Sequence, residues 1–205
     1  MKNQDLKTLA AQTQALYTKH GKQFDLERTK VLFEKVWLDR FLELLPPEGT
    51  ILDVGCGSGE PIAKYLIEQD FKVTGIDFSQ TMIDIVQKRF PDHHWIVADM
   101  RQFDLQNQFD GLIGWHSFFH LTPDEQRAAL ACFEKHLKSG GIMMLTVGPH
   151  EGEVVGQVCG DPVYHSSLSF DNYEQALKNL RMKVVKFVPE DPECDFTSVL
   201  LAKKN

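Results

Sequence analysis

The sequence predicts an α/β domain, a three-layer α/β/α sandwich with one seven-stranded sheet. From Thr50 onward, short apolar runs alternate with helical patterns, which is typical of βαβ units and parallel strands. Near the C-terminus, two strand-like runs are joined by only residues 189–196. This connection is too short for a parallel crossover, so the two runs are expected to pair antiparallel. We therefore predict a mostly parallel sheet with an antiparallel last strand.

The chain is predicted to be a single domain, 1–205, in three parts. Residues 1–48 are predicted to form an N-terminal helical cap of two helices, separated by His20-Gly21-Lys22. The second helix is expected to end at Pro46-Pro47, because proline cannot continue a helix. The core, 50–148, is predicted to carry strands at 51–54, 72–76, 95–98, 109–115 and 141–147, with helices at 61–69, 79–89 and 123–137. Residues 149–205 are expected to hold a lid loop at 151–161, a last helix at 172–180, and strands at 183–188 and 197–202.

Charge and cysteine usage limit the partners. The net charge is −7 and the basic residues are scattered, which argues against nucleic acid and favours a small molecule. The four cysteines form no Cys-x-x-Cys pair, so neither a zinc site nor a disulfide framework is expected. Without an apolar leader or a run of roughly 18 apolar residues, the protein is expected to be cytoplasmic and not membrane-bound. Its oligomeric state is left open.

A glycine-rich loop follows the first core strand. Gly55, Gly57 and Gly59 stand at alternate positions, where they permit positive φ and close approach to main-chain N–H groups. A dinucleotide site needs Gly-x-Gly-x-x-Gly, but Glu60 occupies the place of the last glycine. Because a carboxylate there is expected to repel a pyrophosphate, a ligand without phosphates fits the loop better.

Two further acids end the next two strands. Asp77 closes the second strand and Asp99 the third, so both are expected to face the same crevice as the glycine loop. Asp77 can accept hydrogen bonds from both hydroxyls of a ribose, and Asp99 from an exocyclic amine. Phe78 and Met100 follow them directly and offer apolar surfaces to a base.

Together these motifs resemble the class I S-adenosylmethionine-dependent methyltransferases, of small-molecule type. The resemblance covers roughly residues 50–148 and rests on Leu52-Asp53-Val54-Gly55-Cys56-Gly57-Ser58-Gly59, Gly75-Ile76-Asp77-Phe78-Ser79, Ala98-Asp99-Met100, Phe109-Asp110-Gly111-Leu112-Ile113 and Leu137-Lys138-Ser139-Gly140-Gly141. It implies a Rossmann-like sandwich and S-adenosylmethionine as the cofactor. The cofactor-binding residues that it implies are Asp53, Gly55, Cys56, Gly57, Gly59, Asp77, Phe78, Asp99, Met100 and Trp115.

The resemblance also implies a role for most of these residues. The Gly55 and Gly57 main chain would bind the amino-acid end of the cofactor, with Asp53 near its ammonium group. Asp77 would hold the ribose, while Phe78, Met100 and Asp99 would contact the adenine. Trp115 would lie close to the sulfonium, where an electron-rich ring suits a cation.

The resemblance also guides the prediction of the acceptor side, because this family commonly places acceptor-facing residues after the fourth strand. His116, after the fourth strand, and His165, after the fifth, are the candidate catalytic residues, because imidazole titrates near working pH. Candidate substrate-pocket residues are Tyr17, Phe24, Phe119, His120 and Tyr164. The His116–His120 pair lacks third and fourth ligands, so no metal is expected. The Asn/Asp-Pro-Pro-Tyr/Phe motif of methyltransferases that act on DNA amines is absent after the fourth strand.

These observations predict methyl transfer from S-adenosylmethionine to a small molecule. Two alternatives stay open at this point: a cofactor-binding sensor or partner without transfer activity, and an NAD-dependent oxidoreductase. Whether the accepting atom is O, N, S or C is not specified by the sequence.

Overall fold

The computed structural model describes residues 3–205, with six helices and nine strands in that part of the chain. The helices are α1 (Asn3–Glu27), α2 (Lys35–Leu42), α3 (Ile62–Glu68), α4 (Gln80–Arg89), α5 (Pro123–Lys135) and α6 (Phe170–Asn179). The strands are β1 (Thr50–Val54), β2 (Lys72–Asp77), β3 (His94–Val97), β4 (Phe109–Gly114), β5 (Leu137–Val147), β6 (Gly152–Val158), β7 (Asp161–Ser167), β8 (Met182–Asp191) and β9 (Thr197–Lys204).

Seven of the strands form one sheet in the order β3-β2-β1-β4-β5-β9-β8. The first five strands run parallel, and β9 is antiparallel to both of its neighbours. One face packs on α2, α3 and α4 through residues such as Trp37, Leu66 and Val86, and the other on α5 and α6 through Phe133 and Tyr173. The predicted three-layer sandwich and its antiparallel last strand are confirmed. The carboxyl ends of β1, β2 and β4 consequently lie side by side.

The predicted break at His20-Gly21-Lys22 is wrong, because α1 continues through it to Glu27. A Cβ atom on Gly21 would lie 3.2 Å from Cγ2 of Thr81, so the glycine permits close packing of α1 against α4. Glycine inside a helix costs about 1 kcal/mol relative to alanine, which tertiary packing readily offsets. The chain leaves the helix instead over residues 28–34.

The predicted lid loop at 151–161 is also wrong, because β6 and β7 pair there as an antiparallel hairpin. Its two-residue turn places Cys159 and Gly160 at φ 49° and 84°, the left-handed geometry that suits a tight hairpin. Lys19 and His20 of α1 reach Asp161 at 2.9 and 2.7 Å, which joins the helix to the hairpin. We call α1 together with this hairpin the cover.

Within residues 3–205, no helix combines the length and apolarity that a membrane crossing requires.

Candidate functional site

The glycine loop after β1 forms the floor of the site. Gly55, Gly57 and Gly59 adopt φ values of 75°, 54° and 82°, in the left-handed region that favours glycine. A Cβ on Gly55 would lie 2.4 Å from the Cβ of Ser117, and one on Gly59 would lie 2.6 Å from Cγ2 of Val86. Around Gly57, in contrast, no heavy atom lies within 4 Å of such a position. The loop is therefore closely packed at both ends and open in its middle.

Two buried carboxylates lie near the loop: Asp77 lines the cavity above it, and Asp53 lies in β1 outside the cavity lining. Asp53 is 3% exposed, and its Oδ2 has no hydrogen-bond partner among the described residues. Burial is the main cause that raises the pKa of Asp53 to about 7. The positive charge of Arg28 lowers this pKa, and the negative charge of Asp77 raises it further. Asp77 accepts hydrogen bonds from the main-chain N–H groups of Gly57 at 3.0 Å and Ser79 at 2.8 Å. Burial raises the pKa of Asp77 to about 6 despite these bonds.

The α1 helix of the cover closes over the glycine loop and creates an inner cavity. It is lined by Tyr17, Phe24, Arg28, Gly55, Gly57, Asp77, Phe78, Met82, Met100, Trp115, His116, Ser117 and His120. The Tyr17 ring meets Phe78 and Phe24 edge-on, at centroid distances of 6.1 and 5.4 Å. Arg28, which the sequence interpretation missed, brings a positive charge to the same space and lowers the pKa of Asp53. No local motif marks Arg28, because its position depends on the path of α1.

Asp99 lies beside the inner cavity, not in it. It lines a side cavity between α1 and the sheet edge that shares Phe78 and Met100 with the inner one. Both of its oxygens are engaged by Arg101, whose Nε lies 2.9 and 3.0 Å from them. Burial alone would raise the pKa of Asp99, but the hydrogen bonds from Arg101 hold it below its usual range. Asp99 thus lies next to a candidate pocket for a nucleobase, and its carboxylate is already paired with the guanidinium group of Arg101.

An outer cavity adjoins the inner one and opens to solvent. The two share Tyr17, Phe24, Arg28, Trp115, His116 and His120. The outer cavity alone is lined by Thr29, Phe33, Glu34, Phe119, Gln157, Val158, His165, Cys194, Asp195 and Thr197. Trp115 stands at the junction, and its indole N–H is buried without a hydrogen-bond partner in the described chain.

Three imidazoles stand at this junction and in the outer cavity. His116 has a left-handed backbone (φ 50°), which is uncommon for a residue other than glycine, and its ring Nε2 lies 3.5 Å from Oγ1 of Thr197. Burial lowers the pKa of His116 to about 4, so the ring is neutral at neutral pH. Burial also lowers the pKa of His165, whose ring packs directly over Gly156 of the hairpin. A Cβ on Gly156 would lie 2.7 Å from that ring, so the glycine makes room for it.

His120 is held from two sides. Its Nδ1 lies 3.0 Å from the carbonyl oxygen of Tyr164, which can only accept, so Nδ1 carries the proton. In the neutral ring Nε2 then accepts the hydrogen bond from the Tyr17 hydroxyl at 2.9 Å. Burial lowers the pKa of His120 to about 4, which keeps this neutral form. His120 therefore connects α1 to the hairpin.

Within residues 3–205, no cluster of three or more His, Cys, Asp and Glu side chains is arranged to hold a metal ion.

Three expectations from the sequence do not match these positions. The Tyr164 side chain lines none of the three cavities, because it alternates with His165 along β7 and donates to Glu153 instead. Cys56 packs into the core, so only its main chain belongs to the loop. Glu60 does not face the ligand space: its carboxylate lies 3.6 Å from Lys30 and 3.5 Å from Arg89, so it presents no repulsion there.

A comparison with known families finds one matching model, described as a methyltransferase domain, over residues 51–141. The chain is 28% identical over 131 residues to the dTDP-3-amino-3,4,6-trideoxy-alpha-D-glucopyranose N,N-dimethyltransferase of Streptomyces venezuelae, covering 63% of this chain and 52% of that protein. It is also 29% identical over 144 residues to an O-methyltransferase of Pyrenophora dematioidea, covering 66% and 51%. The chain thus spans about half the length of these curated relatives.

Solved structures share the fold over nearly the whole chain. The 1,6-didemethyltoxoflavin-N1-methyltransferase of Burkholderia thailandensis superposes with a TM-score of 0.72 at 16% identity, covering 100% of this chain and 91% of that one. That crystal structure contains 1,6-didemethyltoxoflavin and S-adenosylhomocysteine.

Proposed function

Since the chain belongs to the class I S-adenosylmethionine-dependent methyltransferases, we propose that it transfers the methyl group of S-adenosylmethionine to a small-molecule acceptor. The cofactor occupies the inner cavity and the acceptor the outer one. The single observation that carries this assignment is the unpartnered Oδ2 of Asp53, buried in β1 just before the glycine loop. An unpaired buried carboxylate oxygen is costly unless a ligand donor satisfies it, and the cofactor ammonium group is such a donor.

The other inner residues fit the rest of the cofactor. Arg28 binds its carboxylate, as an arginine beside main-chain N–H groups is suited to do. The Asp77 oxygens retain lone pairs for the ribose hydroxyls beyond the two N–H groups they already accept from. Phe78 and Met100 contact the adenine, and Asp99 accepts from its amino group while paired with Arg101.

On the acceptor side, His116 and His165 are proposed to take the proton that the acceptor releases. When bound, the cofactor supplies a methyl group on a sulfonium, which is already a good electrophile, so the protein has to orient it and the nucleophile. Both imidazoles are neutral at neutral pH because burial lowers their pKa values, and each faces the outer cavity. Trp115, at the junction, contacts the sulfonium side of the cofactor.

Calorimetry tests the cofactor assignment. S-adenosylmethionine is expected to bind and NAD is not, and the reverse result would overturn the proposal. Asp77→Asn is expected to weaken S-adenosylmethionine binding by about 1.5–3 kcal/mol, the usual worth of hydrogen bonds to a charged group. Asp84→Asn, an exposed acid on α4, is the matched control and is expected to leave binding unchanged.

Turnover tests the acceptor side, with release of S-adenosylhomocysteine followed against a panel of metabolites. His116→Ala is expected to lower transfer about a hundredfold or more if its ring acts as a general base, with cofactor affinity retained. The control is His150→Ala, in an exposed loop. Cofactor binding without turnover on any acceptor would favour a sensor or partner role. Loss of cofactor affinity in His116→Ala would place that ring against the cofactor instead.

A small molecule is proposed over nucleic acid because of the net charge of −7. The cytoplasmic location stays a prediction from the sequence.

A further inference from the structure

Glu34 lines the outer cavity and has an unsatisfied buried oxygen. The residue is 6% exposed, and its Oε2 has no hydrogen-bond partner among residues 3–205. The main-chain N–H of Glu34 and the indole N–H of Trp115 both act on the carboxylate and lower its pKa, but neither Oε2 nor the indole N–H has a partner in full hydrogen-bond geometry. Two residues that line the same cavity therefore each carry an unsatisfied buried polar atom, one an acceptor and one a donor.

No structural role accounts for this carboxylate. Glu34 stands at the N-cap position of α2, yet its side chain accepts no hydrogen bond from the first turn of that helix. Burial raises the pKa of Glu34, while its own main chain, Arg28 and Trp115 lower it. A buried carboxylate of this kind is expected to have a specific partner.

The charges that face the outer cavity favour a positive partner. Arg28 is its one fixed positive charge among the described lining residues, and the proposed function assigns Arg28 to the cofactor carboxylate. The three imidazoles are neutral at neutral pH, so they add no positive charge. Glu34 inside and Asp195 at the exposed mouth then remain as uncompensated negative charges.

We propose that the acceptor is a small amine with an apolar body, and that Glu34 binds its ammonium group while Phe33, Phe119 and Trp115 contact the apolar part. The inference rests on the proposed function, because it takes Arg28 to be neutralised by the cofactor. It specifies the acceptor class, which the relatives leave open, since they include both N- and O-methyltransferases. Glu34 is here a specificity-determining residue for acceptor binding.

The test uses three probes with the same aromatic body: phenethylamine, phenethyl alcohol and hydrocinnamate. Binding of each is measured by calorimetry to protein saturated with S-adenosylhomocysteine, so no turnover is needed. The amine is expected to bind about tenfold or more tightly than the alcohol and the carboxylate, as a charge-assisted hydrogen bond predicts. Glu34→Gln, which keeps the size of the side chain, is expected to remove this preference.

Two controls make the outcome specific. Asp195→Asn changes an exposed carboxylate at the cavity mouth and is expected to alter amine affinity by less than about threefold, as weakly coupled exposed charges do. S-adenosylhomocysteine affinity is expected to be unchanged in Glu34→Gln. Failure of S-adenosylhomocysteine to bind the unmodified protein would instead contradict the proposed function. If that ligand binds but the amine shows no preference, or binds Glu34→Gln equally well, the amine assignment is wrong.

Discussion

The two halves of the site are built in different ways. The floor consists of the β1 and β2 ends and the glycine loop, whose residues lie within 27 positions of one another, from Asp53 to Ser79. The cover brings Tyr17 of α1 against His120, 103 positions later in the sequence, and His165 of the hairpin against the same ring. The floor is held by main-chain hydrogen bonds within adjacent strands, whereas the cover is held by side chains at long range.

Because of this difference, mutations in the floor and in the cover are expected to have different effects. The floor residues are fixed by backbone geometry, so a change there acts on folding and on cofactor binding together. The cover residues act through side-chain contacts, so a change there is expected to alter acceptor binding and local opening while the sheet stays intact. The following variants test this division.

The largest effect is expected for Gly55→Ala. The left-handed φ costs about 1–2 kcal/mol and the overlap with Ser117 about 1–3 kcal/mol, so the free energy of unfolding should fall by about 2–5 kcal/mol. Gly140→Ala is the matched control, since Gly140 has a φ of 76°, close to the 75° of Gly55, but its Cβ would meet only Lys203 Cε, at 3.9 Å. Urea denaturation of both variants measures the difference.

Gly57→Ala distinguishes packing from ligand space within the same loop. Its Cβ would meet no protein atom within 4 Å, so its stability should match that of Gly140→Ala. Cofactor affinity should nevertheless fall, because the methyl group enters the space over the loop. Equal stability losses in Gly55→Ala and Gly57→Ala would show that the packing around Gly55 is not the cause.

The sequence predicted the floor well because parallel strands that follow one another bring their carboxyl ends together. Asp53, Gly57 and Asp77 needed only that rule and the glycine spacing. The cover could not be predicted in the same way. Its geometry depends on α1 continuing past Gly21, where the glycine serves close packing and does not end the helix. Without that long helix, nothing in the pattern places Arg28 over the loop.

Glu34 and the hairpin show the same limit. No motif in the sequence marks Glu34, and only the tertiary structure shows that it does not cap α2 and lines a cavity. The sequence predicts a loop at 151–161, where Gly152, Gly156 and Gly160 interrupt the strand pattern. In the structure, Gly156 makes room for His165 and Gly160 forms the turn. In the sequence, a glycine that permits close packing cannot be distinguished from a glycine that ends a helix or a strand.

A smaller effect is expected where α1 joins the floor. Asp25 on α1 accepts hydrogen bonds from Arg89 at 2.7 and 2.6 Å, and Arg89 also donates to the Ser58 carbonyl at 3.1 Å. Asp25→Asn should weaken this junction by about 1–3 kcal/mol, because the carboxylate loses its charge-assisted pairs with Arg89 and with Lys30, which lies 3.0 Å from it. Hydrogen exchange should then increase in α1 and stay unchanged in β1 and β4.

The control for this variant is Asp124→Asn, which removes an exposed pair with Arg127 and should not change exchange in α1. The hydrogen bonds from Arg89 hold the pKa of Asp25 well below its usual range. The junction should therefore persist in mildly acidic buffer, and the exchange difference should be the same there as at neutral pH. Faster exchange throughout the sheet of Asp25→Asn would mean that α1 and the sheet unfold as one unit.

The smallest effect is the pH dependence of cofactor affinity. In the free protein burial raises the pKa of Asp53 to about 7, and an ammonium ligand favours the ionised carboxylate. Affinity should therefore rise with pH toward about 7 and level off above it, with a change of up to about tenfold per pH unit below. Asp53→Asn should bind the cofactor more weakly and lose this dependence between about pH 6 and 8, as calorimetry across that range would show.

Folding stability should show the opposite slope, which makes the assignment to Asp53 specific. A carboxyl whose pKa is raised in the folded state binds its proton more tightly there than in the unfolded chain. Stability of the ligand-free protein should therefore increase as the pH falls from about 7 toward about 4, and Asp53→Asn should reduce that increase. The remaining increase is expected to come from Asp77, whose pKa burial raises to about 6. A cofactor affinity that falls as the pH rises through 7 would mean that the ammonium group does not pair with Asp53, and the floor would then need a different ligand orientation.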